Sequence, residues 1–98
     1  MEKHKAHYPL STVKQLVSQG RIRTTLSASL GAEALGFDQE ERVEVVLALS
    51  QGDFYKSMTT YHDHREWQDV YRPTTSRGRL YLKLTVVEEV VLVSFKEL

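Results

Sequence analysis

Arg79-Leu80-Tyr81-Leu82-Lys83-Leu84-Thr85-Val86 alternates polar and apolar residues without a break, and Val90 to Lys96 is rich in β-branched and aromatic residues. Strict period-two patterning specifies a half-buried strand, and pairing two such strands fixes which side chains share a face. A tight turn at Glu88-Glu89 sets Val87 against Val90, and it puts the pairs Val86–Val91, Leu84–Val93 and Leu82–Phe95 on one apolar face. The opposite face then carries Arg79, Tyr81, Lys83 and Thr85 against Leu92, Ser94 and Lys96, with Tyr81 across from Lys96 and Lys83 across from Ser94. A slip of one residue would bury the lysines, so the register is strongly specified.

The strand before this pair is read at Trp67–Arg72, with 73–78 as its loop, and joining Arg72 to Arg79 adds Gln68, Val70 and Arg72 to the polar face. Asp69 falls on the apolar side, where only an edge position would suit it. Upstream the period changes. Ser11 as N-cap, Val13, Leu16 and Val17 at helical spacing and Gly20 as stop predict a helix over about 11–19. A second helix, about 26–35, carries Leu26, Leu30 and Ala34 on one face. Asp38 with Glu41 forms a capping box for a third segment, about 39–49, which its β-branched residues also allow as a strand. Ser50 and Asp53 cap a short turn leading to Tyr55, Lys56 and Met58. Helices first and strands last give an α+β class, with N-terminal helices packed on a C-terminal antiparallel sheet. No repeat or linker divides residues 1–98, so a single domain is expected.

The absence of cysteine excludes disulfides and cysteine-based zinc sites. No apolar run reaches the length of a membrane span, and MEKHKAHYP lacks the apolar core of a signal peptide, so the cytoplasm is the expected compartment. Lys plus Arg and Asp plus Glu number 13 each, a balance that gives no hint of a nucleic-acid partner. The distribution is uneven. Asp38, Glu40, Glu41 and Glu44 crowd one stretch, and Arg72, Arg77, Arg79 and Lys83 another, so a neutral chain can present a basic face.

That face is the sheet surface holding Gln68, Arg72, Arg79, Tyr81, Lys83, Ser94 and Lys96. A solvated exterior is the ordinary reading of such a surface. Two features oppose it: the face has cations but no carboxylate, and it mixes in a tyrosine and a glutamine. This combination suits phosphate neutralisation together with contacts to bases or sugars.

Three segments carry a resemblance. Asp53-Phe54-Tyr55-Lys56-Ser57-Met58-Thr59-Thr60-Tyr61, Trp67-Gln68-Asp69-Val70-Tyr71-Arg72-Pro73 and Val93-Ser94-Phe95-Lys96-Glu97 are similar to the DFYKSMT, WQDVYRP and VSFKE segments of MqsR toxins. Leu10-Ser11, Val13-Lys14, Leu16-Val17 and Arg23-Thr24-Thr25 also fit, so the resemblance runs over essentially the whole chain. It implies a fold like that of RelE-type microbial ribonucleases, and ribosome-independent cleavage of single-stranded messenger RNA at GC-containing sites. It also implies a toxin–antitoxin pair with an MqsA-like antitoxin, whose zinc-binding N-terminal domain and helix-turn-helix would leave operator DNA an indirect partner. The residues it carries over as catalytic are Lys56, Gln68, Tyr81 and Lys96. Departures from the family pattern at Leu26, Gly31, the acidic stretch 38–44, His62 and Glu88-Glu89 spare these positions, and the acidic stretch puts the antitoxin contacts in question.

The chemistry asked of this set is cleavage through the RNA's own 2′-hydroxyl, without a metal or cofactor. Lys56 and Lys96 are read as phosphate-binding groups, one able to double as acid or base, Tyr81 as a proton donor or acceptor, and Gln68 as a positioning hydrogen bonder. Tyr55, Met58, Arg72 and Lys83 are the candidate substrate contacts around them, although Phe54, Tyr55 and Trp67 also read as core. His4, His7, His62 and His64 fall off the face, His62-Asp63-His64 has no further ligands for a metal, and Ser57 has no triad partner. The competing reading is a RelE-like protein that acts only by binding its antitoxin or another partner.

Overall fold

The computed structural model describes residues 1–98. Three helices, α1 (Leu10–Ser18), α2 (Leu26–Ala34) and α3 (Gln39–Leu47), lie against one face of a seven-stranded sheet. Its strands are β1 (Glu2–Lys3), β2 (Ile22–Thr24), β3 (Phe54–Thr59), β4 (Trp67–Tyr71), β5 (Thr74–Thr75), β6 (Gly78–Val86) and β7 (Val90–Glu97). Across the sheet the order is β1-β3-β4-β6-β7-β2, while β5 extends the β4–β6 hairpin. The α+β class is the one expected from the sequence, but the sheet is mixed: β2 runs parallel to β7. Four strands, β1, β2, β3 and β5, lie outside the sequence expectation, being too short or too irregular in pattern to register as period two.

The β6–β7 register is as expected at the end that matters most. Tyr81 pairs with Lys96, Leu82 with Phe95 and Lys83 with Ser94. Beyond Lys83 the ladder slips by one at a bulge, so Leu84 pairs with Leu92 and Val86 with Val90, not with Val93 and Val91. A bulge inserts one residue and reverses the facing of the residues beyond it. Leu92 therefore lies in the core with 0% exposure, and Thr85 is buried with its hydroxyl on the Trp67 carbonyl, so neither belongs to the open polar face.

The β4–β6 offset differs from the expected one by two residues, with Tyr71 on Leu82 and Val70 on Lys83, which preserves facing. The region 73–78 is mostly ladder, since Thr74 pairs with Arg79 and Thr75 with Gly78, leaving Ser76-Arg77 as the turn. Asp69 is not at an edge. It is fully buried in β4, between β3 and β6, and its two oxygens accept the backbone N–H groups of His7 at 3.0 Å and Tyr8 at 2.9 Å.

The core joins Leu10, Val13 and Val17 of α1, Ala28 and Ala32 of α2, and Val46 of α3 to Tyr71, Leu80, Leu82, Leu84, Leu92 and Phe95 of the sheet. The helix start at α1 falls one residue early, with Pro9 in the N-cap position and Ser11 inside the first turn. Segment 39–49 resolves as helix, stabilised by the Asp38–Glu41 capping box. The face of α2 is the reverse of the leucine-based reading. Leu26 is 76% and Leu30 57% exposed, while Ala28 and Ala32 are fully buried. Small residues decide the facing because the helix approaches β7 so closely that a Cβ on Gly31 would collide with the Phe95 carbonyl oxygen.

A basic sheet face as candidate active site

The sheet face away from the helices is built in rows. Lys56, Val70, Lys83 and Ser94 align across β3, β4, β6 and β7, and Met58 aligns with Gln68 one step away. Tyr81 and Lys96 form the next paired row. Val70 is fully buried yet lies outside the hydrophobic core cluster, in the row between Lys56 and Lys83.

Tyr81 lies between two ammonium groups, with Lys96 Nζ 5.1 Å and Lys83 Nζ 6.0 Å from its ring centroid. A shift in backbone register between Phe54 and Lys56 turns Tyr55 outward, so it is 40% exposed and not core. The Arg72 guanidinium stacks 3.8 Å above the Tyr55 ring centroid, and Lys56 Nζ is 5.4 Å from the same ring. Gln68 is half-buried and its side-chain amide makes no hydrogen bond within the protein. Phe54 packs edge-on to Tyr71 at 5.5 Å, and Trp67 stacks with His7 at 5.4 Å, so both have structural partners.

The face is not free of carboxylates, contrary to expectation. Antiparallel pairing of Glu2 with Met58 and Lys3 with Ser57 brings the Glu2 carboxylate onto Lys56, with Oε1 2.5 Å from Nζ. Alternation in 79–96 could not reveal a residue delivered by a two-residue strand. The unbroken polar run of Glu2, Lys3 and His4 offers no periodic signal. The Lys56 ammonium, engaged by that carboxylate, is held above the ordinary lysine range, and Glu2 is held below the ordinary carboxylate range for the same reason. Lys83 moves the other way. Burial, and then the charges of Lys96 and Lys56, push it down. Arg72, Arg79, Lys83 and Lys96 are in no ion pair.

Together these groups form an open, shallow surface with several unpaired cations, a phenol, a free amide and an exposed aromatic ring. An extended polyanion could lie across it with its backbone on the ammonium groups. A groove of about 290 Å³ between α3 and the β5–β6 turn is elsewhere, and its charged lining is Glu41, Glu44, Asp53 and Arg77. Its acidic lining would repel phosphate. No helix is long and apolar enough to cross a membrane.

Residues 5–97 match a family model described as "Motility quorum-sensing regulator, toxin of MqsA". A relative from Escherichia coli (strain K12), named "mRNA interferase toxin MqsR", is 56% identical over 97 residues, which is 99% of this chain and 99% of the relative.

Proposed function

The chain belongs to the MqsR toxin family, and on that footing we propose that its basic sheet face is the active site of a messenger-RNA endoribonuclease, the toxin of a toxin–antitoxin pair. The observation that carries the reading is the convergence of Lys56, Gln68, Tyr81 and Lys96 on one sheet face, with Lys83 among them. Single-stranded RNA presents a flexible chain of phosphates with unstacked bases, which suits an open cationic surface fringed by aromatic rings.

Cleavage proceeds through the 2′-hydroxyl and needs no metal. Lys96, Lys83 and Lys56 stabilise charge building on the phosphoryl oxygens, the kind of preorganised field that usually dominates such a reaction. Tyr81 or Lys96 protonates the departing 5′-oxygen, and Gln68 fixes the sugar or base by hydrogen bonds. Tyr55, backed by Arg72, stacks a neighbouring base, with Met58 and Arg72 completing the substrate contacts. GC-containing cleavage sites, action in the cytoplasm without the ribosome, and neutralisation by an MqsA-like antitoxin extend the same reading.

The test is cleavage of a single-stranded RNA containing GC sites by purified protein in excess EDTA, with mass analysis of the ends. A 2′,3′-cyclic or 3′-phosphate end is expected. Loss of activity in EDTA, or cutting of the all-DNA counterpart, would overturn the reading. RNA left intact under every condition would favour a protein that acts by binding alone.

A further inference from the structure

Attack by a 2′-hydroxyl requires a group to accept its proton, and the lysine, tyrosine and glutamine set supplies none convincingly. Arg72 carries a guanidinium and Gln68 an amide, while Lys83, Lys96 and Tyr81 are the groups assigned above to the phosphate charge and the leaving oxygen. Lys56 is locked as an ammonium by its carboxylate partner. The ionised oxygen on this face belongs to Glu2.

We propose that Glu2 is the general base of the cleavage reaction, its free carboxylate oxygen taking the proton of the attacking 2′-hydroxyl. The assignment rests on the metal-independent 2′-hydroxyl chemistry proposed above. Three observations place Glu2 for the task. Only Oε1 is engaged, by Lys56, so Oε2 is open to substrate, and the side chain is 53% exposed. The position is fixed from the backbone, through β1 paired on β3 and through Thr59 N–H donating to the Met1 carbonyl at 2.9 Å. The following turn is tied down again where Asp69 takes the His7 and Tyr8 N–H groups. Finally, a carboxylate beside phosphate-binding lysines works against binding of RNA, so its location serves chemistry better than affinity.

In the step itself the 2′-oxygen forms a bond to phosphorus as its proton passes to Glu2 Oε2. The bond from phosphorus to the 5′-oxygen breaks, and that oxygen takes a proton from Tyr81 or Lys96. A 2′,3′-cyclic phosphate and a free 5′-hydroxyl result. Lys56, bound to Glu2 through Oε1, favours the ionised carboxylate and so keeps it ready to take the proton.

The experiment uses Glu2→Gln, which retains an oxygen acceptor for Lys56 but cannot take a proton. Single-turnover cleavage is measured in EDTA on an all-oxygen RNA and on one with sulfur replacing the scissile 5′-oxygen, because a thiolate departs without protonation. Glu2→Gln should slow both substrates by about 100-fold or more, the usual worth of a general base. Affinity for an uncleavable 2′-deoxy analogue should hold or rise. By contrast, the defect of Tyr81→Phe or of Lys96→Ala, whichever removes the acid, should be rescued by sulfur. Cleavage by Glu2→Gln within a few-fold of wild type would overturn the assignment and leave Glu2 as a positioning group. So would a defect that vanishes on the sulfur substrate. Wild type that leaves no cyclic or 3′-phosphate end fails the functional reading itself, a result visible before any variant is made.

Discussion

Tyr81 and Lys96 stand directly opposite each other across β6 and β7, with the ammonium 5.1 Å from the ring centroid. One position further, Leu82 and Phe95 stand opposite on the buried face. The same two strands thus hold a reactive pair and a structural pair back to back.

Substitutions should separate the two roles. Tyr81→Phe removes one hydroxyl from a half-buried side chain, so cleavage should fall about 100-fold while melting shifts by no more than a few degrees. Phe95→Ala empties a site that is 1% exposed and packed edge-on to Phe37 at 5.1 Å, and should cost about 3–5 kcal/mol in urea unfolding. An unfolded Tyr81→Phe beside a stable Phe95→Ala would place the strand the other way round.

Lys83 should carry a pH signature in binding. Its ammonium is pushed down by burial and by Lys96 and Lys56, so its charge is lost at a lower pH than that of an ordinary lysine. Affinity for an uncleavable RNA analogue, followed by fluorescence anisotropy, should decline earlier in wild type than in Lys83→Arg, whose guanidinium stays charged. Lys83→Met should reduce the salt slope of log affinity by about 0.7, the value for one phosphate contact on a single strand. An unchanged slope would remove Lys83 from the substrate path.

Gly31→Ala tests the docking of α2. In a solvated helix the change stabilises by about 1 kcal/mol through propensity. Here the new Cβ meets the Phe95 carbonyl oxygen, so the helix must lift from β7 and unfolding should become easier by about 1–3 kcal/mol. A stabilised variant would mean that the helix stands further off the sheet.

Tyr71 is fully buried, its hydroxyl has no hydrogen-bond partner, and burial pushes its pKa from 10.0 up to about 12. The folded state therefore holds the neutral phenol more tightly than the unfolded chain does. This contribution is complete below pH about 10 and is lost as pH rises from there through about 12. Tyr71→Phe should be neutral or slightly stabilising at pH 7, since it removes an unpaired polar atom. It should also show a shallower loss of stability above pH 10 than wild type. Strong destabilisation at neutral pH would reveal a partner for the hydroxyl.

The sequence makes some of this legible and hides the rest for identifiable reasons. Tyr81, Lys83 and Lys96 announce their shared face because alternation has only one solution once the lysines must stay wet. The bulge at Val93 leaves no such trace, since Val90 to Val93 is apolar throughout and gives alternation nothing to act on. The leucines of α2 mislead because hydrophobicity marks what can be buried, whereas Ala28, Gly31 and Ala32 mark how near two backbones come. Lys56 joins the site by resemblance, and its facing depends on a register shift beside it that only the fold reveals. Glu2 is invisible to periodicity because its proximity to Lys56 spans 54 residues of chain and passes through a two-residue strand.

The bulge in β7 also reaches beyond the hairpin. The Val93 carbonyl accepts the Thr25 hydroxyl at 3.1 Å, and the Leu92 carbonyl accepts the Thr25 N–H at 3.0 Å, while the same Thr25 oxygen caps α2 through Ala28 N–H. Deleting Val93 would leave every other β6–β7 partnership in place, because Lys83 could still meet Ser94 and Leu84 still meet Leu92. What would vanish is one of the two hydrogen bonds that seat the start of α2 on β7. A single surplus residue in one strand thus helps set where the neighbouring helix begins.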